Sequence, residues 1–223
     1  MLLAPLVRLH VWRAPGAGDD TEPTGAAVLV ANHISHFDPP LITAAFRRSI
    51  DWMTTQEFYA HRLVAAWLHS VNTFPVDRSR ADRRALRVGV ERLRAGRLVG
   101  MFPEGGIRAG ETSILGGALP KGGATTLARL RDAPLVPCVI FGSDRLYEAS
   151  RWRPRLQRTP VWLAVGAPFS VDGLRGDVAD AQLARALREL ATLTIAHFQL
   201  GPDDLPATPQ HRKGRDARRT IAD

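Results

Sequence analysis

Residues 26–30 (AAVLV) are apolar without interruption, five long, and preceded by a Gly-, Pro- and acid-rich stretch, APGAGDDTEPTG at 14–25. A short unbroken apolar run after a turn-rich segment reads as a strand buried on both faces. Two later runs, 135–141 (LVPCVIF) and 161–165 (VWLAV), have the same character. Asp51–Thr55, Thr73–Val76 and Arg97–Phe102 are further strand candidates. Between them the apolar period changes. Residues 81–95 place Leu86, Val90 and Leu93 on one helical face with Gly96 as the C-terminal cap, and 179–199 place Leu183, Leu187 and Leu190 on one stripe. Leu41–Arg48, His61–Ser70 and Gly122–Arg131 complete the helices. Alternating strands and helices predict a single α/β domain: a central mixed, mostly parallel sheet flanked by helices. Pro137 lies inside the 135–141 run, which predicts an edge or irregular position for that strand.

The two ends read differently. Met1–Arg13 is apolar with Arg8, His10 and Arg13 interspersed, and Leu2, Leu3, Leu6, Val7 and Leu9 can share one face of a helix. Such a helix fits two settings: packed on the domain, or lying on a bilayer with Trp12 at the interface. The stretch is too short for a secretory signal and carries its charge at the wrong end. Pro206–Asp223 is polar and basic, and its composition predicts a disordered tail. The division that follows is an N-terminal helix and loop over 1–22, a folded domain over 23–205 and a tail over 206–223.

Of 223 residues, 45% are hydrophobic and 23% charged, enough apolar surface to build a core. The formal charge is +8, carried almost wholly by arginine, with Lys121 and Lys213 the only lysines. Five basic residues and one acid between His211 and Arg219 account for half of it. A cationic surface attracts nucleic acid, anionic lipid or an acidic carrier protein, and charge does not choose among them. No nucleic-acid-binding motif accompanies it, so nucleic acid is not an expected partner. Cys138 is the single cysteine, which excludes an intrachain disulfide and a cysteine metal cluster. No run approaches the ~20 apolar residues that span a bilayer.

The candidate chemistry lies in NHISHFD, where His33 precedes Asp38 by five residues directly after the first buried run. An imidazole that takes a proton near neutral pH needs one nitrogen free and a carboxylate on the other N–H. Without an evident Ser or Cys nucleophile, such a pair works as a general base on a substrate hydroxyl. Ser35 is suited to bonding within the turn. His36 gives H-x-x-H-x-D, a possible metal pattern, but His10, His61, His69, His197 and His211 form no cluster with it, and no metal or other cofactor is expected. Three more segments follow: FPVDR (74–78), ending in Arg78; FPEGG (102–106), with Glu104 in a Gly-rich turn; and LVPCVIFG (135–142).

These four blocks, in this order and mostly at strand ends, resemble the glycerolipid acyltransferases typified by 1-acylglycerol-3-phosphate acyltransferase. That family carries NHxxxxD, a block ending in Arg, FPEG, and V-P-x-x-I; the match covers roughly residues 26–142. The resemblance implies an acyl transfer with His33 as base and Asp38 as its partner. It implies that Arg78 holds the acceptor's phosphate, that Glu104 and Gly105 shape the acceptor site, and that Lys121 adds a second cation. The family often reads FPEGT-Arg-Ser; here Gly106 replaces the Thr and Arg108 sits one place late, still a candidate for the phosphate. Amides of the Gly-rich run 105–123 are candidates to assist. The implied partners are a lysophospholipid acceptor, an acyl thioester donor (acyl-CoA or an acyl-carrier protein, as co-substrate) and a membrane surface. The implied location is cytoplasmic, peripheral on the membrane.

Overall fold

The computed structural model describes residues 6–17, 23–77, 82–149 and 158–206. In chain order the strands and helices are β1 (Val7–Arg13), β2 (Ala27–Ala31), α1 (Asp38–Ala44), β3 (Ile50–Thr55), α2 (Arg62–Ser70), β4 (Phe74–Val76), α3 (Arg83–Arg94), β5 (Leu98–Met101), α4 (Gly123–Arg131), β6 (Leu135–Phe141), α5 (Leu146–Ala149), β7 (Thr159–Val165) and α6 (Gly176–Phe198). Seven strands form a sheet ordered β1-β7-β6-β2-β5-β3-β4. Strands β6, β2, β5, β3 and β4 run parallel; β7 is antiparallel to β6, and β1 pairs parallel with β7.

The strand period sorts the core onto two faces. On β2, Val28 and Val30 join Val99, Leu135 and Val139 beneath α4 and α6, which contribute Leu127, Leu183 and Leu187. Ala27, Leu29 and Ala31 face the other way with Leu98, Val136, Ile140 and Leu163, covered by Leu41 and Ile42 of α1. The chain therefore leaves β2 toward one face and β5 toward the other. In α/β sheets a crevice opens between neighbouring strands that diverge in this way, at their C-terminal ends.

Two sequence expectations are corrected. Residues 7–13 form a strand, not a helix: Val7-Arg8-Leu9-His10-Val11 alternates at period two, and its valines suit a pleated edge. Trp12 stacks on His197 of α6 at 4.2 Å between ring centroids, so its partner is the protein. Strand β6, expected at an edge or in an irregular position, lies inside the sheet between β2 and β7, and the irregular alternative holds because its pairing with β7 is broken at Pro137. Its proline is accommodated by register. The Pro137 carbonyl accepts from Gly166 N–H on the β7 side, and the β7 ladder begins only at Cys138. The absent N–H therefore points just beyond the paired stretch.

Part of the arginine surplus is structural. Asp51, fully buried on β3, accepts from Arg97 at 2.5 Å and Arg92 at 2.8 Å, fastening β3 to α3 and β5. Arg188 of α6 donates to the carbonyls of Ile114 and Ala118. Arg78, Trp152 and the tail beyond residue 206 lie outside the described residues.

Candidate active site

The parallel pairing of β2 with β5 sets Val30 beside Met101, so the NHISHFD and FPEGG turns emerge side by side. On the other flank β6 continues past the end of β2. There the Asn32 amide bridges both backbone groups of Ile140, donating to its carbonyl at 3.0 Å and accepting its N–H at 2.8 Å. Asn32 thereby extends the ladder by one side chain and fixes where the next residue, His33, begins.

Asp38 is fully buried at the first residue of α1, and Oδ2 receives three donors. They are His33 Nδ1 at 2.9 Å, Ile34 N–H at 2.8 Å and Ser35 N–H at 2.9 Å. Oδ1 accepts from the hydroxyls of Ser35 and Ser143 at 3.2 and 2.5 Å. An oxygen already accepting two backbone N–H groups acts as an acceptor toward the ring as well, so Nδ1 carries the hydrogen and Nε2 is the basic nitrogen. His33 is 7% exposed and its ring lies flat on Phe102, with centroids 4.0 Å apart; Phe102 in turn stacks on Trp52 at 4.7 Å. The Trp52 indole N–H donates to Thr43 of α1 at 2.9 Å. A carboxylate below and an aromatic stack beside the ring hold His33 in one orientation.

His33 opens into a cavity of about 800 Å³, largely apolar, whose wall includes Pro40, Trp52, Phe58, Val64, Ile107 and Arg108. A second cavity of about 530 Å³ is lined by Lys121, Asp77, Asp82, Arg83 and the backbone of Gly122 and Gly123. Met53, Phe102 and Gly105 belong to both walls. Arg108, out of its expected register, still reaches the His33 cavity, and its backbone N–H donates to the His33 carbonyl at 2.8 Å. Lys121 and Gly105 are neighbours: a Cβ at Gly105, whose φ is +66°, would stand 2.6 Å from Lys121 Nζ. Arg78 follows directly on Asp77, which lines the smaller cavity.

Glu104 lines neither cavity. It is 6% exposed and accepts the backbone N–H of His33 and of Ile114, each at 2.8 Å. It braces His33 through the backbone, and burial raises its pKa to about 7 against these two bonds. The Gly-rich run after it is committed to its own fold: the N–H groups of Gly105, Arg108, Ser113, Ile114, Gly116, Gly117, Ala118 and Lys121 all have acceptors in the protein. Those amides are taken up within the protein, while Gly106 and Gly122 of the same run line the larger and the smaller cavity. Ser35 bonds within the turn, and His36 shares Tyr147's hydroxyl through Nδ1 and its backbone N–H. No group of three or more His, Cys, Asp or Glu suited to a metal exists among the described residues. Cys138 is fully buried, and burial pushes its thiol up.

Asn32, Phe102 and Ser143 hold His33 and Asp38 in place through contacts that sequence reasoning assigned only partly or not at all. Ser143 is reached through Gly142 (φ +84°) at the end of β6, 105 residues from Asp38, and no local pattern announces it.

Comparison with known proteins bears on this geometry. A family model described as Acyltransferase matches residues 17–141. A 1-acyl-sn-glycerol-3-phosphate acyltransferase of Bacillus subtilis is 32% identical over 93 residues, 42% of this chain and 44% of that protein. One from Streptococcus pneumoniae is 25% identical over 150 residues, 66% of this chain and 52% of that protein. The matches thus span about half the length of these relatives. The crystal structure of PlsC, the 1-acyl-sn-glycerophosphate (LPA) acyltransferase of Thermotoga maritima, superposes with a TM-score of 0.53 at 20% identity, covering 82% of this chain and 71% of that one. At that identity the likeness speaks for the fold.

Proposed function

Since the chain belongs to the acyltransferase family, we propose that it moves a fatty acyl group from a thioester onto the free hydroxyl of a lysophospholipid, 1-acylglycerol-3-phosphate first among them. The observation that carries the reading is the buried Asp38–His33 pair facing a mostly apolar cavity of about 800 Å³. His33 Nε2 removes the acceptor hydroxyl's proton, and the alkoxide attacks the thioester carbonyl. The tetrahedral intermediate expels thiolate, and the protonated imidazole returns the proton to sulfur. Asp38 holds the tautomer and stabilises the imidazolium between these steps. The chain's own residues carry this sequence without a covalent enzyme intermediate.

Lys121, beside the Gly105 turn, and Arg78, next to Asp77, are assigned to the acceptor's phosphate in the smaller cavity, and Arg108 to a supporting charge from the His33 cavity. Two cations for a dianion match the demand of a terminal phosphate. Glu104 serves this site by positioning His33, and Gly105 by keeping the space Lys121 occupies. The folded unit then starts at β1 rather than at residue 23, because β1 belongs to the sheet. No helix among the described residues is long and apolar enough to cross a membrane. A lipid acceptor places the enzyme at a membrane surface, on its cytoplasmic side, with acyl-CoA or an acyl-carrier protein as donor.

The test is purified protein incubated with a panel of lysolipids and each donor, with products read by mass. Phosphatidate from 1-acylglycerol-3-phosphate is expected, with Arg78→Ala eroding the preference for it over lysophosphatidylcholine and Arg108→Ala as the comparison. Absence of acylated product from every lysolipid, or near wild-type turnover by His33→Ala, refutes the reading.

A further inference from the structure

Helix α2 is an amphipathic helix with little to pack on. Its main neighbour is the 3-10 turn Gln56–Ala60 that precedes it. Among its described side chains Leu68 alone is buried. Leu63 is 87% exposed, and Phe58, Val64 and Val71 around it are 44%, 39% and 41% exposed. Three of these, Phe58, Val64 and Val71, also line the cavity that holds His33. The cavity wall therefore shares Phe58, Val64 and Val71 with the exposed apolar surface of this segment, and Leu63 occupies the helical position next to Val64.

Size argues for what that cover is. These four side chains expose on the order of 400 Å², about half of the ~800 Å² per partner that a stable protein interface buries. Interfacial binding to a bilayer has no such minimum area: its strength scales with the apolar area buried plus the attraction to anionic lipid. Two cations stand by this segment, Arg62 at the exposed start of α2 and Arg108 on the cavity wall, against one acid, Glu57. Cations at the edge of an apolar patch favour anionic headgroups.

We propose that the segment Gln56–Val71 docks the chain on an anionic phospholipid surface, with Leu63 the leading inserted side chain. The function proposed above supplies the reason for such a mouth, since a lysolipid acceptor resides in the bilayer. Docking itself is measurable without turnover. Of Met1–Arg13, the segment whose sequence suggested a bilayer contact, residues 7–13 are bound up in the sheet and residues 1–5 lie outside the described residues.

Wild-type protein should float with vesicles of phosphatidylcholine and phosphatidylglycerol. Leu63→Asp should lower the vesicle partition coefficient by about 10-fold or more, the scale expected when a Leu side chain is no longer buried. Leu193→Asp, the same change at a 50% exposed position on α6, should not. Because Cys138 is fully buried, Leu63→Cys can be labelled selectively with an environment-sensitive fluorophore, which should brighten and shift to the blue on adding vesicles. The label at Leu193→Cys should not respond. Equal flotation of Leu63→Asp and wild type, or a silent label at Leu63→Cys, overturns the proposal. So does light scattering that shows a dimer, dissociated by Leu63→Asp, in a protein that does not float; that result makes the patch a self-interface. Leu63 does not line the cavity, so Leu63→Asp should still acylate a short-chain monomeric acceptor in vesicle-free buffer. If flotation depends on Leu63 while no lysolipid is ever acylated, the docking surface stands and the acyltransfer reading falls.

Discussion

Replacing Asp38 separates its charge from its hydrogen bonds. In Asp38→Asn the amide oxygen can occupy the place of Oδ2 and keep the N–H donors of Ile34 and Ser35 and the Nδ1–H of His33. The amide nitrogen then faces the Ser35 and Ser143 hydroxyls, which can turn to accept. The tautomer survives and the fold is kept. What disappears is the negative charge beside the imidazolium. Two unit charges about 4 Å apart at an effective dielectric near 20 attract by roughly 4 kcal/mol. At about 1.4 kcal/mol per decade that corresponds to a loss of up to about 10³-fold in kcat. Asp38→Ala is different in kind, because it leaves those three buried donors unpaired at about 1–3 kcal/mol each. The total is comparable with the ~5–15 kcal/mol that holds an ordinary domain together. Thiol release from the acyl donor, followed with a chromogenic disulfide, gives the rates; thermal melts of the same samples give the stabilities. The expected pattern is a slow, stable Asp38→Asn and a slow, unstable Asp38→Ala. A wild-type rate in Asp38→Asn would show that the carboxylate only fastens the turn, and a wild-type melt in Asp38→Ala would show that its donors are not starved.

Glu104 sets a pH dependence of stability. With its pKa raised from 4.5 to about 7 by burial, folded protein holds a proton across that window that unfolded chain has released, so stability falls as pH rises through it. Glu104→Gln removes the titration but offers one acceptor oxygen for two backbone donors, at about 1–3 kcal/mol. Urea midpoints should therefore show the variant most disadvantaged near about pH 5 and less so near about pH 8; a constant gap contradicts the raised pKa. Gly105→Ala places a methyl against Lys121 in a positive-φ turn, and should raise the acceptor's KM severalfold while the donor's KM holds. Equal changes in both KM values would detach Lys121 from the acceptor. Gly100→Ala on β5 drives a methyl to 2.6 Å from Ile50 and Trp52, and overpacking of this kind costs about 1–3 kcal/mol, read as a lower melting temperature; an unchanged melt would mean the sheet relaxes around it.

How much could be read along the chain follows the sequence separation of the contacts. His33 and Asp38 are five apart within one turn, so their pairing was legible from types and spacing. The buried strands β2, β6 and β7 were legible because an unbroken apolar run admits few other readings. The contacts between them were not. The bridge from Asn32 to Ile140 spans 108 residues, the Ser143 bond to Asp38 spans 105, and the Glu104 bond to His33 spans 71. Each depends on which strands end side by side, a property of sheet order that local periodicity does not contain. Strand β1 failed for another reason. Leu2, Leu3, Leu6, Val7 and Leu9 satisfy a helical face while Val7, Leu9 and Val11 alternate at period two, and the partner that decides for residues 7–13, β7, lies about 150 residues downstream.

The FPEGG turn shows why its residue types occur together. Phe102 supplies the flat surface on which the His33 ring rests, Glu104 holds the backbone of the same histidine, and Gly105 leaves room for Lys121. Phe102 and Gly105 are also common to the walls of both cavities. One turn therefore positions His33, Lys121 and the partition between the two cavities, all referred to the C-terminal end of β5. A transfer between two substrates needs the attacking hydroxyl held within reach of the base while its charged end is anchored elsewhere. If each anchor stood on a separate loop, independent loop motion would spread their spacing. Carried on a single turn, itself pinned by Glu104 to the neighbouring strand end, the spacing is set by covalent geometry and two buried hydrogen bonds. It follows that a change at Glu104 should disturb base and acceptor site together, whereas a change at Lys121 should disturb the acceptor site alone.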